Sequence, residues 1–477
     1  MQTTAPRSVR KGRFRARLPL ALVAALATAG TLLVAAPAPA RAALPPQTIQ
    51  DPVHYWNDVL IKLIKRVGGG PVPFTRAAAM MNAAIYDADS SYQLTWKGGI
   101  SSAPYIDADP YPGWIEGPDE EERVIGRTAY NILLHLYGSE TAFLDQRFRE
   151  RFGTEPTDFD ILDTTVVNKM VTQMEDARRL DGSENREAYT GTLEPGAWRP
   201  TNYADMNDPA CQTQSDAVDP NWGLVKPFAL TSGAQFRPPT PGVYGTYQQL
   251  LASDAYEAQV EAVRRVGAEQ ETTETPEVNR TVDQEAAAWF WANDNDGTFK
   301  PPGQLLQATR DIATQRGLNT YQNARLFALV SIALADAGIA VRDVKYQTEI
   351  DLWRPVSAIR ESGIDPEWKP LLKNADGVNV NPCFPAWASG HATFGAAWAG
   401  IMRRYFNADG IAFDMVTDDP RSPVHTRHFT SFSAAAREDA YSRVWLGVHF
   451  PWDAEDGLTL GEKVAGYVFD NRLVDLS

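Results

Sequence analysis

Along the chain, stretches of helical period alternate with breaks made of glycine and proline. In HYWNDVLIKLIKRV, Trp56, Val59, Leu60, Leu63 and Ile64 recur at three- and four-residue spacing, which predicts an amphipathic helix with one buried face. GGGPVPF interrupts it, and TRAAAMMNAAIYDADSSY predicts a second helix whose alanines allow close packing. Further helices are predicted at EEERVIGRTAYNILLHLY, at ETAFLDQRFRERF and at DILDTTVVNKMVTQMEDARRLDG, the last closing on Gly182 as a C-cap glycine. From about Glu187 to Gly245 the period disappears under Pro, Gly, Asn and Asp. This stretch reads as a long irregular connection, either functional or packed as its own shell. Helical period returns in YQQLLASDAYEAQVEAVRRVG, VDQEAAAWFWAND and PPGQLLQATRDIATQRG, then in a run from Thr320 to Arg360. No alternating strand pair and no internal repeat stands out. The pattern predicts an all-α protein of two packed helical bundles, residues 43–245 with the connection and residues 246–477.

Composition and charge add a compartment and exclude some partners. Arg7, Arg10, Lys11, Arg13, Arg15 and Arg17 precede the apolar run LPLALVAALATAGTLLVAA, and Ala40-Arg41-Ala42 follows as a small-x-small cleavage site. Residues 1–42 therefore read as a cleaved secretion signal, without the Arg-Arg pair of the twin-arginine type. No later span is expected to cross a bilayer. Seven of the 45 basic residues and none of the 60 acidic ones fall before position 43, so a net charge of −15 becomes −22 without that segment. A body this acidic repels nucleic acid and anionic membranes at long range, and any anion it binds needs a locally built positive pocket. Cys211 and Cys383 are too few for a disulfide framework; export leaves both a single bridge and two buried thiols open.

Three polar clusters carry the candidate chemistry. The first is Asp351-Leu352-Trp353-Arg354-Pro355, read as lying late in an apolar helix, where an arginine alone is usually a surface charge. The second is Ser389-Gly390-His391, opening the helical run ATFGAAWAGIMRRYF. Ser389 suits an N-cap, and a helix start with free N–H groups favours an anion. On this segment alone, a cap and a satisfied first-turn histidine account for the residues. A Ser-His nucleophilic pair does not, because residues two apart on a helix do not face each other. The third is Ser442-Arg443, then His449, then Asp453. Arg443 falls in a last helical turn, Pro451 suits the first position of the next helix, and His449 occupies the bend between them. Asp453 is then within reach of one imidazole nitrogen, fixing the tautomer and freeing the other. A fourth candidate, Asp294-Asn295-Asp296-Gly297, fails as a calcium loop because Ala292 and Gly303 would fill its first and last ligand positions. It reads as a helix-ending turn.

Arg354-Pro355, Ser389-Gly390-His391 and Ser442-Arg443…His449…Asp453, in this order, resemble the signature shared by vanadium-dependent haloperoxidases and type 2 phosphatidic acid phosphatases. WNDVLIKLIKRVGGGPVPFTRAAAMMNAAIYDA and NWGLVKPFALTSGAQFRPP also resemble the exported bacterial haloperoxidase group. The resemblance implies a helical-bundle fold of the haloperoxidase and acid phosphatase type. It implies His449 as the nitrogen ligand of vanadate, oriented by Asp453, with phosphate able to occupy the same place. His391 would be the acid–base residue where peroxide loses its protons. Arg354, Arg443, the Ser389 hydroxyl and the Gly390 amide would hold the vanadate oxygens. Hydrogen peroxide, halide and a small organic acceptor would be the reactants, and a homodimer is left open. Trp353 and Phe384 would border the halide; in the family, phenylalanine at the latter position goes with chloroperoxidases.

One position departs from that pattern. The family has lysine seven residues before the arginine of Arg-Pro, where this chain has Gln347. On one continuous helix, at about 100° per residue, Gln347 shares the face of Arg354 and Lys345 points to the opposite side. The expectation is an anion wall short of one cation. Three functions follow. The first is a vanadium haloperoxidase. The second is an acid phosphatase, in which His449 would attack phosphorus and His391 would protonate the leaving oxygen. The third is a non-catalytic phosphate- or vanadate-binding homologue.

Overall fold

The structure is a computed structural model that describes residues 50–114 and 116–476. The leader and cleavage site expected at residues 1–42 lie outside those residues. Capping and proline placement set the helix starts. Asp51 accepts from the Val53 and His54 N–H groups, and Pro52 takes the first position of α1 (Pro52–Val67). The five residues expected on its apolar face are buried. Next come α2 (Pro71–Trp96), α3 (Pro118–Leu136), α4 (Thr141–Phe152) and α5 (Asn168–Arg178). The last is shorter than expected: a wider turn at Asp163–Val167 precedes it, and Gly182 lies past its end at φ +91°.

The connection holds a two-stranded pairing of β1 (Asn202–Tyr203) with β2 (Met206–Asn207) and several short 3-10 turns. It is packed as a shell. The Asp336 carboxylate accepts from the N–H groups of Phe228, Ala229 and Leu230 at 2.6, 2.7 and 2.8 Å. The backbone N–H of Val218 donates to the Cys383 carbonyl at 2.9 Å. A Cys211–Cys383 disulfide resolves the alternatives for the two cysteines. It closes a loop across a sequence separation of 172. Reduction is expected to cost about 2–5 kcal/mol of stability, read as a lower urea midpoint in the reduced protein.

The C-terminal half contains α6 (Tyr247–Leu251), α7 (Asp254–Gly267), α8 (Val282–Phe290), α9 (Lys300–Arg316), α10 (Thr320–Tyr346), α11 (Pro355–Glu361) and α12 (Gly390–Phe406). A hairpin of β3 (Phe413–Val416) and β4 (Thr426–Phe429) follows, then α13 (Phe432–Trp445) and α14 (Pro451–Asn471). One apolar core runs from Val53 through α2 and α10 to Leu473. Contrary to expectation, α10 is long and apolar enough to cross a membrane, but 94% of its most apolar stretch is buried among other helices. Its apolar surface is satisfied by α2 and α12 rather than by lipid. The β3–β4 pair is also a correction. Phe413 pairs with Phe429 and Val416 with Thr426 in antiparallel register, and Phe413 and Met415 are buried on one face. Four-residue strands carry too few alternations to show against a helical background.

Two glycines set the approach of the helices that carry the candidate site. A Cβ at Gly457 of α14 would lie 2.8 Å from the Ser389 carbonyl oxygen, and one at Gly461 would lie 2.3 Å from that of Thr393. Their bare Cα atoms let α14 lie against the start of α12, where the Ser389 N–H donates to the Asp453 carbonyl at 2.9 Å.

Candidate active site

The polar clusters meet at the start of α12 and the α13–α14 bend. Ser389 is the N-cap of α12 and its hydroxyl accepts from the Ala392 N–H at 3.4 Å. A Cβ at Gly390 would meet nothing within 4 Å, so open space lies before the free N–H groups of that helix start. Arg443 lies in the last turn of α13, and Pro451 opens α14. His449 sits between them, buried, with Nδ1 at 3.0 Å from Asp453 Oδ2. The same carboxylate oxygen accepts the Phe450 N–H at 3.0 Å. With the Nδ1 proton directed at Asp453, Nε2 carries the lone pair and accepts from Arg354 Nη1 at 3.2 Å. Burial, then the charges of Arg354, Lys345 and Arg443, hold the His449 imidazole well below its usual range. Burial pushes the Asp453 carboxyl up to about 7, against the pull of the Phe450 N–H and of Lys345 and Arg354.

Arg354 is not on a helix face. The chain leaves α10 after Tyr346, and Arg354 is extended at φ −78°, ψ 156° as the N-cap of α11. Pro355 disfavours helical conformation in the residue before it, which is the physical reason. Arg354 Nε donates to the Phe384 carbonyl at 2.8 Å and Nη1 to that of Val448 at 2.7 Å.

Gln347, expected on the wall, is the residue just past α10 and does not border the cavity lined by His449, His391, Gly390 and Arg443. Lys345 does. It lies in the last turn of α10, fully buried, and its Nζ donates to the carbonyls of Pro385 and Ala386 at 2.7 and 2.9 Å. The expectation of a missing cation is thus corrected by the break in the helix. Trp353 is a second correction. Its Nε1 donates to the Tyr256 hydroxyl at 2.7 Å, and its ring is buried away from the cavity. Phe384 does border the cavity, with the cations of Arg342, Lys345 and Arg354 at 4.3, 5.0 and 4.7 Å from its ring centroid.

His391 and Asp294 complete the wall. His391 Nε2 lies 3.2 Å from the Trp291 carbonyl and 4.0 Å from Asp294 Oδ2. Burial, reinforced by Arg443, brings its imidazole down to about 4, so it is neutral near pH 7 and able to take a proton. Asp294 accepts from Arg443 Nη2 at 2.8 Å. Sequence reading placed Asp294 in a turn and missed this contact, which joins residues 149 apart and has no local signal.

Arg354 Nη2 and Arg443 Nε and Nη1 are buried without a hydrogen-bond partner. Buried donors on charged groups are costly unless something accepts from them. Three such donors beside Lys345, a helix start and an unprotonated imidazole nitrogen make a cradle for an oxyanion with one nitrogen ligand. Among the described residues no cluster of three His, Cys, Asp or Glu is arranged for a bare metal cation.

A family model described as the VCPO second helical-bundle domain matches residues 325–474, which span this cradle. The vanadium chloroperoxidase of Curvularia inaequalis is 30% identical over 498 aligned positions, covering 84% of this chain and 79% of that protein. The chain belongs to the vanadium haloperoxidase family. Haloperoxidase structures share its fold. The first bacterial vanadium-dependent iodoperoxidase superposes with a TM-score of 0.68 at 22% identity, over 89% of this chain and 98% of that one. A holo-type bacterial vanadium-dependent chloroperoxidase gives 0.64 at 17% identity, over 89% and 93%. The all-α fold expected of a haloperoxidase is the fold found.

Proposed function

We propose that this protein is an exported vanadium-dependent haloperoxidase, oxidising chloride or bromide with hydrogen peroxide and halogenating a small organic acceptor. The observation that carries the reading is the unprotonated Nε2 of His449 against the buried guanidinium of Arg354, with Arg443 and Lys345 lining the cavity beside His449. His449 would hold vanadate through Nε2 while Asp453 keeps the proton on Nδ1. Arg354, Arg443, Lys345, the Ser389 hydroxyl and the Gly390 N–H would hold its oxygens. Bound vanadate supplies Lewis-acid activation of peroxide without a change of oxidation state.

The remaining chemistry belongs to side chains of this chain. His391, neutral in the protein, donates Nε2–H to the Trp291 carbonyl, which orients its ring and leaves the Nδ1 lone pair to accept a proton from peroxide. The fixed cations draw halide into a body that repels anions elsewhere. In balance, halide, hydrogen peroxide and a proton give hypohalous acid and water. The acid then replaces an acceptor C–H by C–halogen, and water leaves. The disulfide supports the export reading, because such bonds persist in oxidising compartments.

Orthovanadate titrated into the protein is expected to bring up bromination of a phenolic dye in the presence of peroxide. Absence of that activity, with p-nitrophenyl phosphate turned over instead, would establish the phosphatase in its place.

A further inference from the structure

The cradle opens into a cavity of about 650 Å³, far more room than peroxide and a halide require. Six Lys or Arg residues line it against three Asp, inside a chain of net charge −15. Two of the three acids are neutralised, Asp294 by Arg443 and Asp296 by Lys300. Among the cations, Arg421 stands apart. It lies between β3 and β4, and no carboxylate among the described residues is within ion-pair distance of it. Its backbone N–H is held by Asp419 Oδ1 at 2.9 Å, and its Nη1 donates to the Lys373 carbonyl at 2.8 Å. Its guanidinium lies 5.6 Å from the ring centroid of Trp289. An arginine held at its backbone N–H and at Nη1, with its guanidinium over an indole, is a fixed fork with donors to spare.

Beside Arg421 the wall is apolar. Trp289, Leu372 and Val380 line the cavity and belong to one small cluster with Leu446 and Val448. Val448 immediately precedes His449, and its carbonyl accepts from Arg354. The apolar cluster behind this wall therefore extends to the residue that precedes His449. An electrophilic halogenating agent needs an electron-rich ring, and this wall offers a ring its surface and a carboxylate its partner.

We propose that the part of the cavity walled by Trp289, Leu372 and Val380 is a subsite for an aromatic acid, its ring on that wall and its carboxylate on Arg421. The fate of the ring rests on the haloperoxidase reading; the binding does not. The subsite sets acceptor specificity and keeps the acceptor beside the centre where the oxidant forms.

Calorimetric titration of the whole protein in phosphate buffer, with the cradle open to phosphate, compares 4-hydroxybenzoate with the neutral 4-hydroxybenzamide. The acid is expected to bind at least about tenfold more tightly. Arg421→Gln should bring the two within about twofold, and Arg421→Lys should keep part of the preference. Equal binding to the unaltered protein would overturn the proposal, as would equal weakening of both ligands by Arg421→Gln. Displacement of the acid by raised phosphate would overturn it too, by placing the carboxylate in the cradle. The binding preference without vanadate-dependent bromination of the acid would keep the subsite and sink the haloperoxidase reading.

Discussion

Lys345→Met is expected to weaken vanadate binding by about 10- to 150-fold, while Gln347→Lys leaves it within about twofold. The range corresponds to one charge-assisted hydrogen bond, about 1.5–3 kcal/mol. The contrast follows from where α10 stops. Lys345 is in the last turn, fixed by the carbonyls of Pro385 and Ala386, and it borders the cavity. Gln347 is beyond that turn and away from the cavity, so a charge placed there meets water. Methionine keeps the bulk of the lysine stem but leaves two buried carbonyls without a donor. Thermal unfolding of the variant therefore accompanies the vanadate titration, to separate lost affinity from lost fold. Tighter binding in Gln347→Lys together with a neutral Lys345→Met would move the wall back to position 347.

The second large effect is at His449. His449→Ala removes the one imidazole whose Nε2 faces the buried arginines, and vanadate-dependent bromination is expected to fall to background. The change also takes the partner from Asp453 Oδ2, leaving that oxygen only the Phe450 N–H. A loss of stability on the order of 1–3 kcal/mol should accompany it. Asp453→Asn is the gentler companion. It keeps the shape and weakens the hold on the Nδ1 proton, with vanadate affinity expected to fall about 10- to 100-fold. Full bromination by His449→Ala at saturating vanadate would remove His449 from the role of ligand.

Much of the site was legible because its parts are local. Ser389 and Gly390 at a helix start, Arg443 in a last turn, and Pro451 placing Asp453 one turn beyond His449 are short-range geometries that caps and prolines dictate. What was missed depends on where a helix ends or on contacts far apart in sequence. The run from Thr320 to Arg360 reads as helical through Arg354; Arg354-Pro355 is a cue that Arg354 is extended, but α10 already ends at Tyr346. One misplaced helix end moved the expected cation from Lys345 to Gln347 and put Trp353 against the halide rather than against Tyr256. Asp294 and Arg421 sit in turns whose partners, Arg443 and Trp289, no local pattern announces. The helices were legible from period alone; the four-residue strands that frame Arg421 were not.

On the proposed function, the Cys211–Cys383 bridge bears on how the protein would survive a hypohalous product. Hypohalous oxidants consume soft sulfur before most other side chains. No free thiol remains among the described residues, because both cysteines are already joined. The seven methionines there, from Met80 to Met415, are each exposed by 3% or less, and none borders the cavity. An oxidant formed in the cradle would thus meet rings, amides and charged groups, with the sulfur of the described residues either joined in the bridge or sealed in the core.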